Sequence, residues 1–218
     1  LSAEGLKLAY LPQPGMVRLR LSAFGENLED LKNKVEKYIQ SLKLLIPEYI
    51  FGMETFGEEP LNLQHIVLNL LLERKESLSI AESCTGGYLA SLITSVPGAS
   101  QVFSGGLVPY SNEAKHKLLG VEPSIFDTVG AVSKECVVAL ARNVREKFNS
   151  TYGIGISGIA GPGGGSEEKP VGLVWIAVAD KNKVIPIQLQ YGDIRQNNIV
   201  MSSNAALNLL RKFILKQK

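Results

Sequence analysis

The sequence is poor in the residues that most often announce a chemistry. Two cysteines, Cys84 and Cys136, and two histidines, His65 and His116, are all that 218 residues contain. Two cysteines cannot build a disulfide framework, and without clustered histidines they do not make a zinc site, so no metal is expected. The shortage of histidine also weakens any Ser-His-Asp arrangement, since His65 lies in an apolar helical stripe and His116 sits among lysines. Neither sign of charge dominates: 23 Lys and Arg against 21 Asp and Glu leave a formal net charge of +2. That balance argues against an electrostatically driven binder of nucleic acid or membrane, and a hydrophobic content of 45% argues against disorder. Long apolar runs are missing too. The stretch from Val171 to Ala179 falls well short of the roughly 20 residues that span a bilayer. No charged-then-apolar signal segment is present, so a reducing, cytoplasmic setting is expected. The chain opens on Leu1 rather than Met, which points to a portion of something longer.

What is present reads as two parts. Leu6, Leu8 and Tyr10, then Val17, Leu19 and Leu21 with Arg18 and Arg20 between them, alternate as strand residues do. Pro12-Gln13-Pro14-Gly15 between the two runs is turn chemistry. From Leu28 the period changes to three or four through Leu31, Val35, Tyr38, Leu42 and Leu45, the stripe of an amphipathic helix that Pro47 stops. Tyr49-Ile50-Phe51 reads as a third strand and Gly52 to Glu59 as a linker. These features predict a small α+β domain over residues 1–55.

From residue 56 to 218 helices and strands interleave. Helices are expected after Pro60, over Tyr88–Thr94, between a Ser111 cap and a Gly120 stop, from a Ser133 cap to Phe148, and over Gln196–Leu215. Strands are expected over Ser77–Ala81, Gln101–Val108 and Tyr152–Ser157, with a late hairpin of 171–179 and 184–191 around Asp180-Lys181-Asn182-Lys183. This order predicts an α/β class, a layered α/β/α domain whose sheet is mixed because of the hairpin.

Three segments carry candidate chemistry. Glu82-Ser83-Cys84-Thr85-Gly86-Gly87 lies between a strand and a helix, where a nucleophile can be exposed beside helix-start amides. Ser83 and Cys84 compete for that role. The alternative is that Ser83 and Thr85 only cap the helix while Cys84 fills space. The segment is not a G-x-S-x-G elbow, because Ala81 and Thr85 occupy the glycine positions. Gly158-Ile159-Ala160-Gly161-Pro162-Gly163-Gly164-Gly165-Ser166 is the densest glycine run, either a phosphate cradle or a plain surface connection. No lysine follows Gly165, so it is not a Walker loop. Gly153 to Gly158 fits G-x-G-x-x-G, yet no helix can start into the glycines that follow, and the match is read as chance. Tyr110-Ser111-Asn112-Glu113-Ala114-Lys115 offers a phenol and an amine as acid–base partners, provided the lysine is desolvated; otherwise Lys115 is an ordinary surface charge. Arg195, in Gly192-Asp193-Ile194-Arg195, is a phosphate ligand or a surface charge.

Taken together, Ala81 to Gly87, Tyr110 to Lys115, Gly130-Ala131-Val132-Ser133, Gly158 to Gly164 and Lys169-Pro170-Val171-Gly172 resemble the C-terminal domain of the CinA family. This family of competence/damage-inducible proteins also includes the stand-alone nicotinamide-mononucleotide deamidase PncC. The similarity covers about Glu58 to Lys218 in five ordered blocks. Leu6 to Phe51 resembles the small KH-like middle domain of full-length members, although no G-x-x-G occurs in residues 1–59 to clamp RNA. The resemblance implies that an upstream pyrophosphatase-like domain is missing from this chain. It implies hydrolysis of the carboxamide of nicotinamide mononucleotide to nicotinate mononucleotide and ammonia, without a cofactor. Ser83 becomes the expected nucleophile and Tyr110 and Lys115 its activating partners. Cys84, Thr85, Gly86, Gly87, Asn112, Ser157, Gly158, Gly161, Gly163 and Arg195 become expected substrate contacts, with amides near the Gly86–Gly87 helix start expected to hold the oxyanion. The family's threonine before Gly158 is Ser157 here, and its Gly-Asp-Arg turn carries an inserted Ile194, which leaves the placement of Arg195 open. A homodimer is expected. The competing reading is a regulatory module that binds the nucleotide with little catalysis.

Overall fold

In the computed structural model, which describes residues 5–54 and 61–216, the chain separates into two units, Leu1–Leu61 and Asn62–Lys218. The expected division between residues 55 and 56 lies outside the described residues. In the first unit β1 (Leu6–Gln13) and β2 (Met16–Ala23) pair antiparallel, from Leu6 opposite Ala23 to Gln13 opposite Met16. The turn between them is Pro14-Gly15, with Gly15 at φ 76°. Helix α1 (Leu28–Leu45) starts where the Asn27 side chain accepts the N–H groups of Glu29 and Asp30. The strand expected at Tyr49-Ile50-Phe51 does not form. Tyr49 instead closes a turn on α1 by donating its N–H to Ile46 O, and the triplet joins no ladder among the described residues.

The second unit contains, in order, α2 (Leu63–Arg74), β3 (Leu78–Glu82), α3 (Tyr88–Thr94), β4 (Phe103–Leu107), α4 (Asn112–Leu119), α5 (Pro123–Thr128), α6 (Lys134–Phe148), β5 (Tyr152–Gly158), β6 (Leu173–Ala179), β7 (Val184–Gln190) and α7 (Arg195–Leu215). The sheet order is β4-β3-β5-β6-β7. The strands β4, β3 and β5 run parallel, and β6 and β7 are antiparallel additions, which makes the sheet mixed as expected. Ser111 and Ser133 cap α4 and α6 through their side-chain oxygens, and Gly120 ends α4 in the left-handed region. The short α5 was not legible in advance; Pro123 at its first turn is the one start signal it carries.

The two faces of the sheet are built differently. Ala81, Gly153, Gly155, Ala177 and Ala179 lie on the face that α6 covers. A Cβ on Gly155 would stand 2.5 Å from Val137 O and 2.8 Å from Ala141 N, and one on Gly153 would collide with Ala141 O. The G-x-G of the apparent dinucleotide motif is therefore a packing device that lets α6 lie close on β5. The other face carries the larger Ile80, Ile154, Ile156, Val174, Ile176 and Val178, all fully buried, and α7 packs against β5 and β6 with α2 and α3 beside it. No helix of the described residues is long and apolar enough to cross a membrane.

Candidate active site

Ligand sites in sheets of this kind form beyond the carboxyl ends of the parallel strands. Here β3 leads into Ser83 and Cys84, β4 leads through Val108 to Tyr110, and β5 ends in Ser157 and Gly158. Because β3 lies between β4 and β5, the segments after all three strands converge around Ser83. They border an open cleft of about 200 Å³, to which Asn112 and Lys115 of α4, Ala131, Val132, Ala160 and Arg195 also contribute. The Ser83 backbone is held at the sheet edge by donating its N–H to Ile156 O at 3.0 Å.

Lys115 is the least expected feature. It is 1% exposed, and no carboxylate lies within ion-pair distance of it among the described residues. Its Nζ stands 3.1 Å from Ser83 Oγ, 3.0 Å from Pro109 O and 3.2 Å from Tyr110 O. Burial holds its ammonium form below the ordinary lysine range, since the charged form loses hydration without an anion to replace it. A neutral amine has two N–H groups and one lone pair. Nζ is within donating distance of all three oxygens; once the amine is neutral, the two carbonyls can take its two protons and leave its lone pair for the Ser83 hydroxyl. This is the geometry of a general base on a nucleophile.

Cys84, the rival nucleophile, is buried, and that burial pushes its thiol up to about 12. A thiol so far from ionisation is a space-filling group at neutral pH. The Tyr110 hydroxyl does not reach Ser83. Tyr110 is 58% exposed and accepts a hydrogen bond from Arg195 Nη2 at 3.0 Å, while its backbone carbonyl serves Lys115. Arg195 Nη1 also donates to Gly161 O at 2.8 Å. The inserted Ile194 is absorbed as the N-cap residue of α7 and points to solvent, so Arg195 opens the helix and reaches the cleft.

The remaining expected contacts divide. Asn112, Ser157 and Gly158 line the cleft, and Ser157 Oγ donates to Ala131 O at 2.7 Å, joining β5 to the turn before α6. Thr85 is buried with its Oγ1 lacking a partner among the described residues, and it does not line the cleft. Gly163 is exposed and also lies off the cleft. The Gly86 and Gly87 amides are already committed, Gly86 N–H to Ser83 O and Gly87 N–H to Glu82 Oε2. Of the amides near this helix start, these two are therefore not free to meet an oxyanion. In this turn the N–H groups of Cys84 and Thr85 are the ones that no other described residue's acceptor takes. Both histidines serve the fold, His65 at the start of α2 and His116 with Nδ1 3.0 Å from Val121 O.

Several residues that shape the site had no role assigned from sequence. Asn198 donates to Ala160 O and Gly192 O and ties the glycine loop to α7. Lys169 Nζ donates to Val129 O and ties the far end of that loop to the segment before α6. The spacing of Asn198 three residues after Arg195 puts both on one face of α7, a signal that was available.

Comparison with known proteins agrees with this arrangement. Residues 61–214 match the family model described as the CinA C-terminal domain. A CinA-like protein of Cytophaga hutchinsonii is 45% identical over 211 residues, covering 97% of this chain and 49% of the relative. A CinA-like protein of Amoebophilus asiaticus is 44% identical over 207 residues, covering 95% and 49%. The chain thus spans about half the length of these curated relatives. The crystal structure of the competence/damage inducible protein CihA from Agrobacterium tumefaciens is similar with a TM-score of 0.67 at 34% identity, covering 73% of this chain and 98% of that one. A CinA superfamily protein from Klebsiella pneumoniae gives a TM-score of 0.68 at 26% identity, covering 72% and 99%. With its family model matched across the whole α/β unit, the chain belongs to the CinA family.

Proposed function

We propose that the α/β unit is an amidohydrolase that deamidates nicotinamide mononucleotide to nicotinate mononucleotide and ammonia. The observation that carries this reading is the buried Lys115 Nζ, 3.1 Å from Ser83 Oγ and held by Pro109 O and Tyr110 O, which in its neutral form can give both protons to the carbonyls and turn its lone pair to the serine. Lysine buried without a carboxylate is costly to the fold, and proton transfer at the serine is the use that fits its position.

Ser83 Oγ attacks the carboxamide carbon while its proton passes to Lys115. The tetrahedral oxyanion is met by the Cys84 and Thr85 N–H groups. Collapse breaks the C–N bond as Lys115 returns the proton to the departing ammonia, leaving an ester on Ser83. Water, deprotonated by Lys115, then releases the carboxylate and restores the serine. Arg195 and the glycine loop, held together through Gly161 O, are suited to the 5′-phosphate. A homodimer in the bacterial cytoplasm is the setting this reading expects, and sedimentation analysis measures the assembly.

The test is ammonia release from nicotinamide mononucleotide by the wild type and by Ser83→Ala. Turnover falls about a hundredfold or more in the variant. Undiminished release in Ser83→Ala refutes the nucleophile. A thermal shift with the mononucleotide and no product over hours refutes the enzyme in favour of a binding module.

A further inference from the structure

Glu82 stands immediately before Ser83 and is 1% exposed. Its carboxylate accepts three backbone N–H groups across the turn: Oε2 takes Gly87 at 3.2 Å and Leu89 at 3.0 Å, and Oε1 takes Ala90 at 2.8 Å. Helix α3 needs such a partner because its N-cap is Gly87, at φ 97°, which has no side chain to cap with. The anion sits where the helix dipole favours it. The segment clasped in this way is Ser83 to Gly87, whose two glycines both lie in the left-handed region and leave it little stiffness of its own.

We propose that Glu82 is a positioning residue for the nucleophile, tying the start of α3 to the end of β3 so that Ser83 stays on Lys115 and the Cys84 and Thr85 amides stay turned to where the oxyanion forms. The proposal rests on the amidase reading of Ser83, and it adds a residue that touches neither substrate nor base. Displacing reacting groups by about 1 Å costs on the order of a hundredfold in rate. The phosphate contacts sit on α7 and the β5–β6 loop and do not depend on this clasp. Loss of Glu82 therefore lowers kcat, spares KM and slows the labelling of each folded molecule, whereas general destabilisation lowers the fraction of molecules that turn over or label and leaves the labelling rate constant of the folded ones unchanged.

Glu82→Gln keeps the size and removes one acceptor oxygen, so one of the three N–H groups faces an NH2. Wild type, Glu82→Gln and Ser83→Ala are compared in two assays: ammonia release from the mononucleotide, and the rate of Ser83 esterification by a fluorophosphonate. In the second, the P–F bond breaks as Oγ–P forms and Lys115 takes the hydroxyl proton. We expect both kcat and the labelling rate of Glu82→Gln to fall about tenfold or more, with KM within about threefold and the protein folded. Labelling and turnover at the wild-type rate overturn the proposal. Wild type that labels at Ser83 but releases no ammonia overturns the choice of substrate alone, and Glu82 is then decided on labelling. Wild type that does neither overturns both. Glu82→Asp, which keeps the charge and loses reach, carries the same readouts where Glu82→Gln does not fold.

Discussion

Lys115→Met separates the two duties of a buried lysine. The substitution keeps an unbranched side chain of similar length in a site that is 1% exposed, and it deletes the group 3.1 Å from Ser83 Oγ. A positioned general base contributes about 10²- to 10⁴-fold, so the barrier rises by about 3 to 5.5 kcal/mol. Stability moves the other way or little. Pro109 O and Tyr110 O each lose a donor, worth about 1 kcal/mol net apiece. Against this stands the removal of a desolvated amine. Burial places the folded-state pKa of Lys115 below its unfolded value, so the unfolded chain binds more protons in the window between them. The burden on stability is full below the folded-state pKa and disappears as pH rises to the unfolded one. At neutral pH the variant sheds that burden. Ammonia release is measured against pH, and melting temperature alongside it. In the wild type, activity climbs as the ammonium deprotonates and levels off above the folded-state pKa; in Lys115→Met the rate is low and this limb is gone. Expected melting lies within about 8 °C of the wild type, given about 2–4 °C per kcal/mol for a chain of this size. A variant that keeps more than a tenth of wild-type turnover refutes Lys115 as the base.

Other outcomes follow from the same geometry. With its thiol near 12, Cys84 holds about one thiolate in 10⁵ at pH 7, so Cys84→Ala retains turnover within about threefold; a hundredfold loss would reinstate the cysteine as nucleophile. Arg195→Gln raises KM for the mononucleotide by about 10- to 100-fold, as expected for lost charge-assisted bonds to phosphate, and leaves the unphosphorylated riboside unaffected. Equal effects on the two substrates would remove Arg195 from phosphate recognition. Gly155→Ala forces a methyl to within 2.5 Å of Val137 O and costs about 1–3 kcal/mol, read as a fall of about 2–12 °C in melting temperature. No fall would mean that α6 is free to move off β5.

The periodicity of the sequence was a good guide wherever an element's own residues decide its structure. Ser111, Gly120 and Ser133 mark helix ends through bonds a few residues long, and the hairpin around Asp180 closes through Asp180 Oδ1 and the N–H groups of Asn182 and Lys183. Where an element depends on a partner, the local pattern misled. Tyr49-Ile50-Phe51 has strand composition and pairs with no strand among the described residues, and Gly153-Ile154-Gly155 imitates a cofactor motif while serving α6. The site shows the same division. Ser83, Tyr110, Lys115 and Arg195 were recognisable as a set, but their pairing was not. Tyrosine and lysine looked equivalent on paper, and only the fold sends the phenol to Arg195 and the amine to Ser83.

The sequence by itself determined most of the helices and strands of the α/β unit, α5 excepted, that the sheet is mixed, and which few side chains are candidates for chemistry. With so little histidine and cysteine, the sequence singled out Lys115 as the candidate amine partner of Ser83. The tertiary structure decided that this amine is buried and within 3.1 Å of the serine. The order β4-β3-β5 brings three distant strand ends around one serine, buries Lys115 with no carboxylate in ion-pair distance among the described residues and hands the Gly87 amide to Glu82. Those outcomes depend on strand order and on which groups are shut off from water, and neither is set by residues close together in the chain.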